Sequence, residues 1–326
     1  MKSVLIAILK TVVTALLFYL LFRKVDFPEF AATLKHARYD VLIFSFCILW
    51  IGHSMCVFRW RMLMRPLMPV ASVARLLGIY CIGLFFNLTF PTVVGGDVVK
   101  MYYAGKPSRR FAESFAATFL DRDTGMLAMM LIAVTATMIH PVRLDGIPVS
   151  LIIWSAFLAF IVANGIIFAP RLHRIFVNFL RGLRFNGLAG RVDTISGVFQ
   201  TIARHRGVLA MSLVISLVNQ LFVIAVVWIT AIGLRIGVPF PYFLVFVPVI
   251  TLISMIPISL NGMGLREYAF VALFSAIGVD RESGIALGLV SSAIIVLSAI
   301  PGGVVYIFFR SRADLEQMAR LETDLS

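Results

Sequence analysis

The sequence predicts an all-α fold, a polytopic helical membrane bundle with re-entrant or broken helices, and three observations carry that prediction. Hydrophobic residues make up 60% of the chain and charged residues 14%, with a mean hydropathy of +0.98, whereas a soluble domain carries about 25% charged residues. The apolar residues gather into runs near the ~17–25 residues with which a helix crosses a bilayer. Two of the runs close on proline–glycine elements, Pro91-Thr92-Val93-Val94-Gly95-Gly96-Asp97 and Pro257-Ile258-Ser259-Leu260-Asn261-Gly262-Met263-Gly264. Such residues interrupt a helix rather than continue it.

The first run, 4–22, has the outline of a signal peptide. Lys10 interrupts it and no A-x-A cleavage site follows, so it reads as a retained helix. The second covers 41–60 and leads into a basic linker with Arg59, Arg61, Arg65 and Arg75 and no acid. The third, 76–94, ends in the first proline–glycine element and is followed by Lys100, Lys106, Arg109 and Arg110. The fourth lies within 111–139 and contains Asp121-Arg122-Asp123. After the fifth, 150–168, comes the longest hydrophilic segment, 170–206, with seven arginines against one acid, Asp193. Its interspersed Ile175, Phe176, Phe179, Leu180 and Leu183 suit amphipathic helices in the membrane interface, with a soluble helical hairpin as the alternative. A sixth run at 208–229 and a seventh at 240–260 follow. A short apolar segment at 269–279 precedes the last run, 284–309, which holds Pro301-Gly302-Gly303. Residues 1–312 thus form an integral membrane domain that includes the basic cytoplasmic loop 170–206, and 313–326 a polar cytoplasmic tail.

The chain carries 29 Lys and Arg against 16 Asp and Glu, a net charge of +13. In a membrane protein this excess marks a cytoplasmic face, not nucleic-acid binding, and it attracts anionic lipid headgroups. Placing the 170–206 block inside puts residues near 110 inside as well, and the linker at 59–75 also prefers the cytoplasm. Both ends of the third run then lie on one side, so 76–110 reads as a re-entrant hairpin turning near Pro91 to Gly96. Both termini fall in the cytoplasm of a bacterial inner membrane. The 23–40 loop, with four basic residues, falls outside against the rule. The spacing repeats: Pro91, Gly96 and Lys100 recur as Pro257, Gly262 and Arg266, each 166 residues on. Transporters built from repeats place broken helices at matching positions in their halves. If 240–279 is a second hairpin entered from the opposite side, the two halves form an inverted repeat; a plain span over 240–260 is the alternative.

A broken helix in a membrane leaves backbone groups that protein, water or ligand must satisfy, and its N-terminus favours an anion. The candidate headgroup-binding residues are therefore Gly95, Gly96, Asp97 and Lys100 at the first break, and Gly262, Gly264, Arg266 and Glu267 at the second. Arg122 joins them as an ionisable group inside a span. The glycines equally suit close helix packing. Asn87, Asp121, Asn219 and Gln220 are candidates for a polar path, with interhelical hydrogen bonding as the plainer role. The sequence holds no G-x-x-x-x-G-K-[ST], no H-E-x-x-H and no nucleophile elbow. No catalytic set, metal site or cofactor is expected. Cys47, Cys56 and Cys81 lie in apolar runs and read as small buried residues without a disulfide framework.

These segments resemble the integral-membrane superfamily that includes the flippase region of bacterial lysylphosphatidylglycerol synthases. The resemblance rests on Phe86-Asn87-Leu88-Thr89-Phe90-Pro91 leading to Gly95-Gly96-Asp97, on Asn261-Gly262-x-Gly264-x-Arg266-Glu267, on Pro301-Gly302-Gly303, and on the charged group at Arg122. It covers about residues 5 to 312. Two departures stand out: Asp121-Arg122 where members of that family more often show Glu-Arg, and Asn261 where glycine is more usual. The resemblance implies helical spans with re-entrant elements and a role in moving phospholipid or polyprenyl-linked lipid between leaflets. The larger synthases add a soluble domain that loads lysine onto phosphatidylglycerol, and this chain has no room for it. An anionic membrane lipid is the expected partner. A membrane enzyme acting on a lipid-linked substrate and a non-catalytic partner of envelope lipid or glycan synthesis proteins are the rival readings; homo-oligomerisation is left open.

Overall fold

A computed structural model describes residues 2–23, 27–89, 95–144, 146–168, 201–256 and 258–324. The bend at Pro91 to Val94, Pro257, and the basic loop up to residue 200 lie outside them. The described chain is helical except for a two-stranded antiparallel hairpin of β1 (Arg143–Leu144) and β2 (Ile147–Pro148). The helices are α1 (Lys2–Phe22), α2 (Phe27–Lys35), α3 (Tyr39–Met64), α4 (Val73–Thr89), α5 (Gly95–Gly105), α6 (Phe111–Ile139) and α7 (Val149–Phe168). After the loop come α8 (Arg206–Gly233), α9 (Phe240–Ser254), α10 (Leu265–Ser275) and α11 (Arg281–Asp324).

Four of these are long and apolar enough to cross a membrane: α3, α6, α8 and α11 through Phe309, with mean hydropathies of 2.1, 1.3, 2.3 and 2.2. The lowest belongs to α6, which carries Asp121, Arg122 and Asp123. The outer faces of α3 and α11 expose Ile43, Phe44, Ile51 and Phe58, and Leu297, Ile300, Val304 and Ile307. Contiguous apolar faces of this kind suit lipid as the surrounding medium.

Three boundaries differ from the sequence reading. The 23–40 loop contains α2, which starts with proline at its second position, where the missing N–H has no helical acceptor. Helix α3 runs to Met64, because apolar Met62, Leu63 and Met64 continue its pattern, and so takes Arg59 out of the expected linker. Helix α11 continues to Asp324, since its polar end is rich in Ala, Leu, Glu, Gln and Arg, all strong helix formers.

The four elements α3, α4, α5 and α6 recur as α8, α9, α10 and α11. Their lengths are 26, 17, 11 and 29 residues in the first set and 28, 15 and 11 in the second, closed by the 29 residues of α11 through Phe309. The first two pairs of helices start 167 residues apart, the last two 170. Packing follows the same exchange: α4 lies on α11 and α9 on α6, while α5 lies on α6 and α10 on α11. Helices α3 and α8 run antiparallel. The amide of Arg38 bonds the carbonyl of Gly233 at 2.7 Å, Ser45 Oγ the carbonyl of Val226 at 2.9 Å, and Arg59 Nη1 bonds Ser216 Oγ at 2.7 Å. A repeat whose equivalent helices oppose one another is inverted, the arrangement that the sequence parity fitted.

Helical register corrects the 166-residue echo. That spacing aligns the two bends, but the helices that follow align at 170. Asp97 and Glu267 are then equivalents, each the third residue of its helix. Lys100 corresponds to Phe270, not to Arg266. Both short-helix pairs fold back as hairpins. At ~1.5 Å per residue, α4 and α9 reach about 25 Å and 22 Å, and α5 and α10 about 16 Å, all short of the ~30 Å hydrocarbon layer. The first hairpin is so tight that a Cβ on Gly96 would lie 2.0 Å from the Gly83 carbonyl oxygen. Gly302, on α11, is pressed equally hard on α4: its Cβ would lie 1.9 Å from the Cys81 carbonyl oxygen.

Two apolar clusters flank the middle of the bundle. One gathers Trp60, Leu63, Met64, Leu76 and Ile79 around the first hairpin. The other gathers Phe243, Phe246, Phe270 and Phe274 around the second. The aromatic rings of the second cluster meet at centroid distances of 5.1–5.8 Å, near the preferred range for such pairs.

Candidate functional site

Five charged residues of the first repeat, Arg59, Asp97, Lys100, Asp121 and Arg122, form one continuous array, while Asp123, half-buried on α6, bonds Asn164 of α7 instead. Arg59 on α3 donates from Nε to Asp121 Oδ1 on α6 at 2.7 Å and from Nη1 to Ser216 on α8. Both members of that pair are 4% exposed. One turn into α5, Asp97 receives Lys100 Nζ at 2.8 Å on one oxygen and Arg122 Nη1 at 2.6 Å on the other. Since Asp121 and Arg122 are neighbours on α6, the two groups join. The Lys100 ammonium also stands 5.1 Å from the Tyr80 ring and 5.6 Å from that of Trp60, cation–π contacts worth about 0.5–2 kcal/mol each.

Local sequence explains how the array is held. Asn87 on α4 accepts the Gly96 amide through Oδ1 at 2.8 Å, which anchors the first turn of α5 and sets the direction of Asp97. A side chain at Gly83 or Gly96 would push α5 and its Lys100 away. Three cations, Arg59, Lys100 and Arg122, face two carboxylates, Asp97 and Asp121, for a net charge of +1. Burying an unmatched charge in a low dielectric is expensive, so the array is suited to meeting an anion. Arg122 is the place where one could arrive: its side chain is 28% exposed, against 5–14% for the other four.

The second hairpin holds a different arrangement. Asn261, Gly262 and Gly264 all have positive φ, at 48°, 73° and 80°. Asparagine stands where glycine is usual because, among L residues, it tolerates this region better than most. The turn delivers the chain into α10, where the Gly264 amide donates to Glu267 Oε2 at 2.6 Å and the Ser292 hydroxyl of α11 donates to Oε1. Glu267 is 1% exposed. Arg266 Nη2 reaches the Asn261 carbonyl at 3.4 Å and forms no ion pair among the described residues. The pairing rule of the first half is repeated with a changed partner: Asp97 meets α6 at Arg122, and Glu267 meets α11 at Ser292, each 25 residues on.

Of the sequence candidates, the structure thus brings Gly96, Asp97, Lys100, Asp121 and Arg122 together, beside Gly95 and Asn87. It groups Gly262, Gly264, Arg266 and Glu267 separately, in a hairpin whose 3-10 turn, Leu260–Gly262, packs on α4. Gln220 serves as a strut, donating from Nε2 to the Gly125 carbonyl at 3.0 Å. Asn219 sits where α3 and α8 cross, against Gly52, with its Oδ1 buried and unpartnered. Arg59, Ser216, Trp60 and Tyr80 are site residues that the sequence reading did not select. Arg59 was legible: apolar Cys56-Val57-Phe58 before it and Trp60 after it continue the run of α3, which placed the arginine within a span.

No curated protein and no solved structure matches the chain. The family model for the lysylphosphatidylglycerol synthase TM region matches residues 7–302, and covers the first repeat, both hairpins, every charged residue of the array and the second repeat up to Gly302. This chain therefore belongs to the lysylphosphatidylglycerol synthase TM region family.

Proposed function

We propose that this protein moves an anionic phospholipid or polyprenyl-linked lipid between the leaflets of a bacterial cytoplasmic membrane. The observation that carries the reading is the +1 array of Arg59, Asp121, Lys100, Asp97 and Arg122, sheltered in the middle of apolar helices. A headgroup phosphate would replace part of the Arg122–Asp97 contact and bond the guanidinium, which suits phosphate geometry. The acyl chains would stay against the apolar outer faces. The two hairpins would re-enter from opposite sides, with both termini in the cytoplasm, as the Lys and Arg distribution favours. Gly95, Gly96, Gly262 and Gly264 would let the backbone come close to the headgroup, and Asn219, with its unpartnered oxygen, would line the route.

The test is reconstitution. Purified protein in liposomes should raise the rate at which labelled phosphatidylglycerol becomes accessible from the outside. Arg122→Gln should lower that rate at least tenfold, the equivalent of about 1.4 kcal/mol, while the protein stays folded. Exposure at the protein-free rate for every anionic headgroup tried would sink the reading. Release of a chemically altered headgroup, lost in Asp121→Asn, would replace it with a membrane enzyme.

A further inference from the structure

We infer that Glu267 binds and releases the proton that couples lipid movement to a pH gradient, an inference that rests on the translocation reading above. The equivalence of the two half-sites carries it. In the first half the carboxylate, Asp97, is gripped by Lys100 and Arg122, both of which can only donate. A proton on Asp97 would set donor against donor, so it stays an anion. In the second half the equivalent of Arg122 is Ser292, and the equivalent of Lys100 is Phe270. No cationic nitrogen of a described side chain lies within ion-pair distance of Glu267; its bonds are to the Gly264 amide and the Ser292 hydroxyl.

A hydroxyl donates or accepts as required. When Glu267 is ionised, Ser292 donates to Oε1. When a proton binds Oε1, the new O–H donates to Ser292 Oγ and the contact persists with its direction reversed. The Gly264 amide stays on Oε2 in both states. Glu267 can therefore change charge without losing a partner, which Asp97 cannot do. Ser292 is half-buried, so the contact lies at the edge of the packed core and is not sealed within it.

The elements packed on α10 are α11, α9 and α1. Their described charged or titratable side chains are Arg281, Glu282 and Tyr306 on α11, Tyr242 on α9 and Tyr19 on α1, with Arg266 and Tyr268 on α10 itself. None bonds Glu267. Protonation of Glu267 removes one negative charge and so raises the net charge of the interior by one. Proton and anionic headgroup therefore favour each other's binding, and linkage makes that preference reciprocal. One proton with one singly charged headgroup moves without net charge.

The experiment imposes a pH difference across proteoliposomes containing labelled phosphatidylglycerol, with the membrane potential clamped. The steady-state leaflet ratio should shift as much as tenfold per pH unit for one proton per lipid. Glu267→Gln should abolish the shift, and so should Ser292→Arg, which installs the first half's cation beside the acid. A wild-type ratio indifferent to the gradient, or a full shift in Glu267→Gln, would overturn the inference while leaving translocation intact. A protein that moves no lipid would instead refute translocation, and infrared spectroscopy of the purified protein then decides Glu267. A protonated-carboxyl band whose intensity changes with pH, present in Asp97→Asn and missing in Glu267→Gln, supports the assignment. Its absence from the wild type overturns it.

Discussion

Arg59 shows at the residue scale how a membrane interior holds charge. Its guanidinium spends two of its nitrogens on Asp121 and Ser216, and both members of the ion pair are buried. Removing one partner should therefore cost far more than removing both. Arg59→Met leaves Asp121 buried and uncompensated, at a cost of about 3–5 kcal/mol. Adding Asp121→Leu should recover most of that loss, because a well-packed apolar pair replaces a buried ionic one at little cost. Thermal unfolding in detergent measures both. Lipid movement separates stability from function: the double variant should be stable and slow, because the array has lost one of its three cations and one of its two acids together with the bond that fixes α6. A double variant no more stable than Arg59→Met would show that the ion pair does not hold these helices together.

At the scale of elements, the central contact is the antiparallel crossing of α3 and α8, with Gly52 facing Asn219 and Ser45 Oγ 3.0 Å from Thr230 Oγ1. Ser45→Cys with Thr230→Cys, in a background where Cys47, Cys56 and Cys81 are serine or alanine, should cross-link readily under mild oxidation. Ser45→Cys with Ser212→Cys should not, since those positions sit on different turns of an antiparallel pair. Efficient linkage of the second pair would reverse the direction of α8 and remove the inverted repeat. This contact also marks the limit of what the sequence discloses. The spans were legible because apolar runs of bilayer length have no other use, and the hairpins because proline and glycine stop helices. Even the echo was legible, as a repeated spacing of 166. The true register was not, because α9 and its turn together are three residues longer than α4 and its turn, and only backbone geometry tells an insertion from a shift along a helix. The partner of Glu267 was out of reach for the same reason: Ser292 lies 25 residues away on another helix, and no local pattern marks it; Asp97 was within reach, because Lys100 follows three residues on and Arg122 is an ionisable group inside a span.

At the scale of the whole molecule, an inverted repeat makes a claim about sidedness that neither half makes alone. The loop after α3 and the loop after α5 adjoin: Arg110 Nη1 donates to the Leu67 carbonyl at 2.9 Å. Their equivalents after α8 and α10 adjoin too, where Arg235, Gly237 and Pro239 share a pocket with Ile277, Gly278 and Asp280. Because α3 and α8 are antiparallel, the first pair of loops must open on one side of the membrane and the second on the other. On the proposed topology each short hairpin enters and leaves on its own side, with the array in the first and Glu267 in the second. In a cysteine-free background, Arg65→Cys and Lys106→Cys should share one labelling pattern with a membrane-impermeant maleimide. Gly237→Cys and Ala276→Cys should share the opposite one. All four positions are exposed, so failure to label reports sidedness and not burial. With the first pair in the cytoplasm, as the proposed orientation has it, intact cells should label only the second, and lysed cells all four. Labelling of Arg65→Cys and Lys106→Cys on opposite sides would mean that α4 and α5 together cross the membrane. The hairpin would then be a span, the two halves would no longer oppose one another, and the charges on α5 would lie on a membrane-crossing path instead of at the tip of a fold-back.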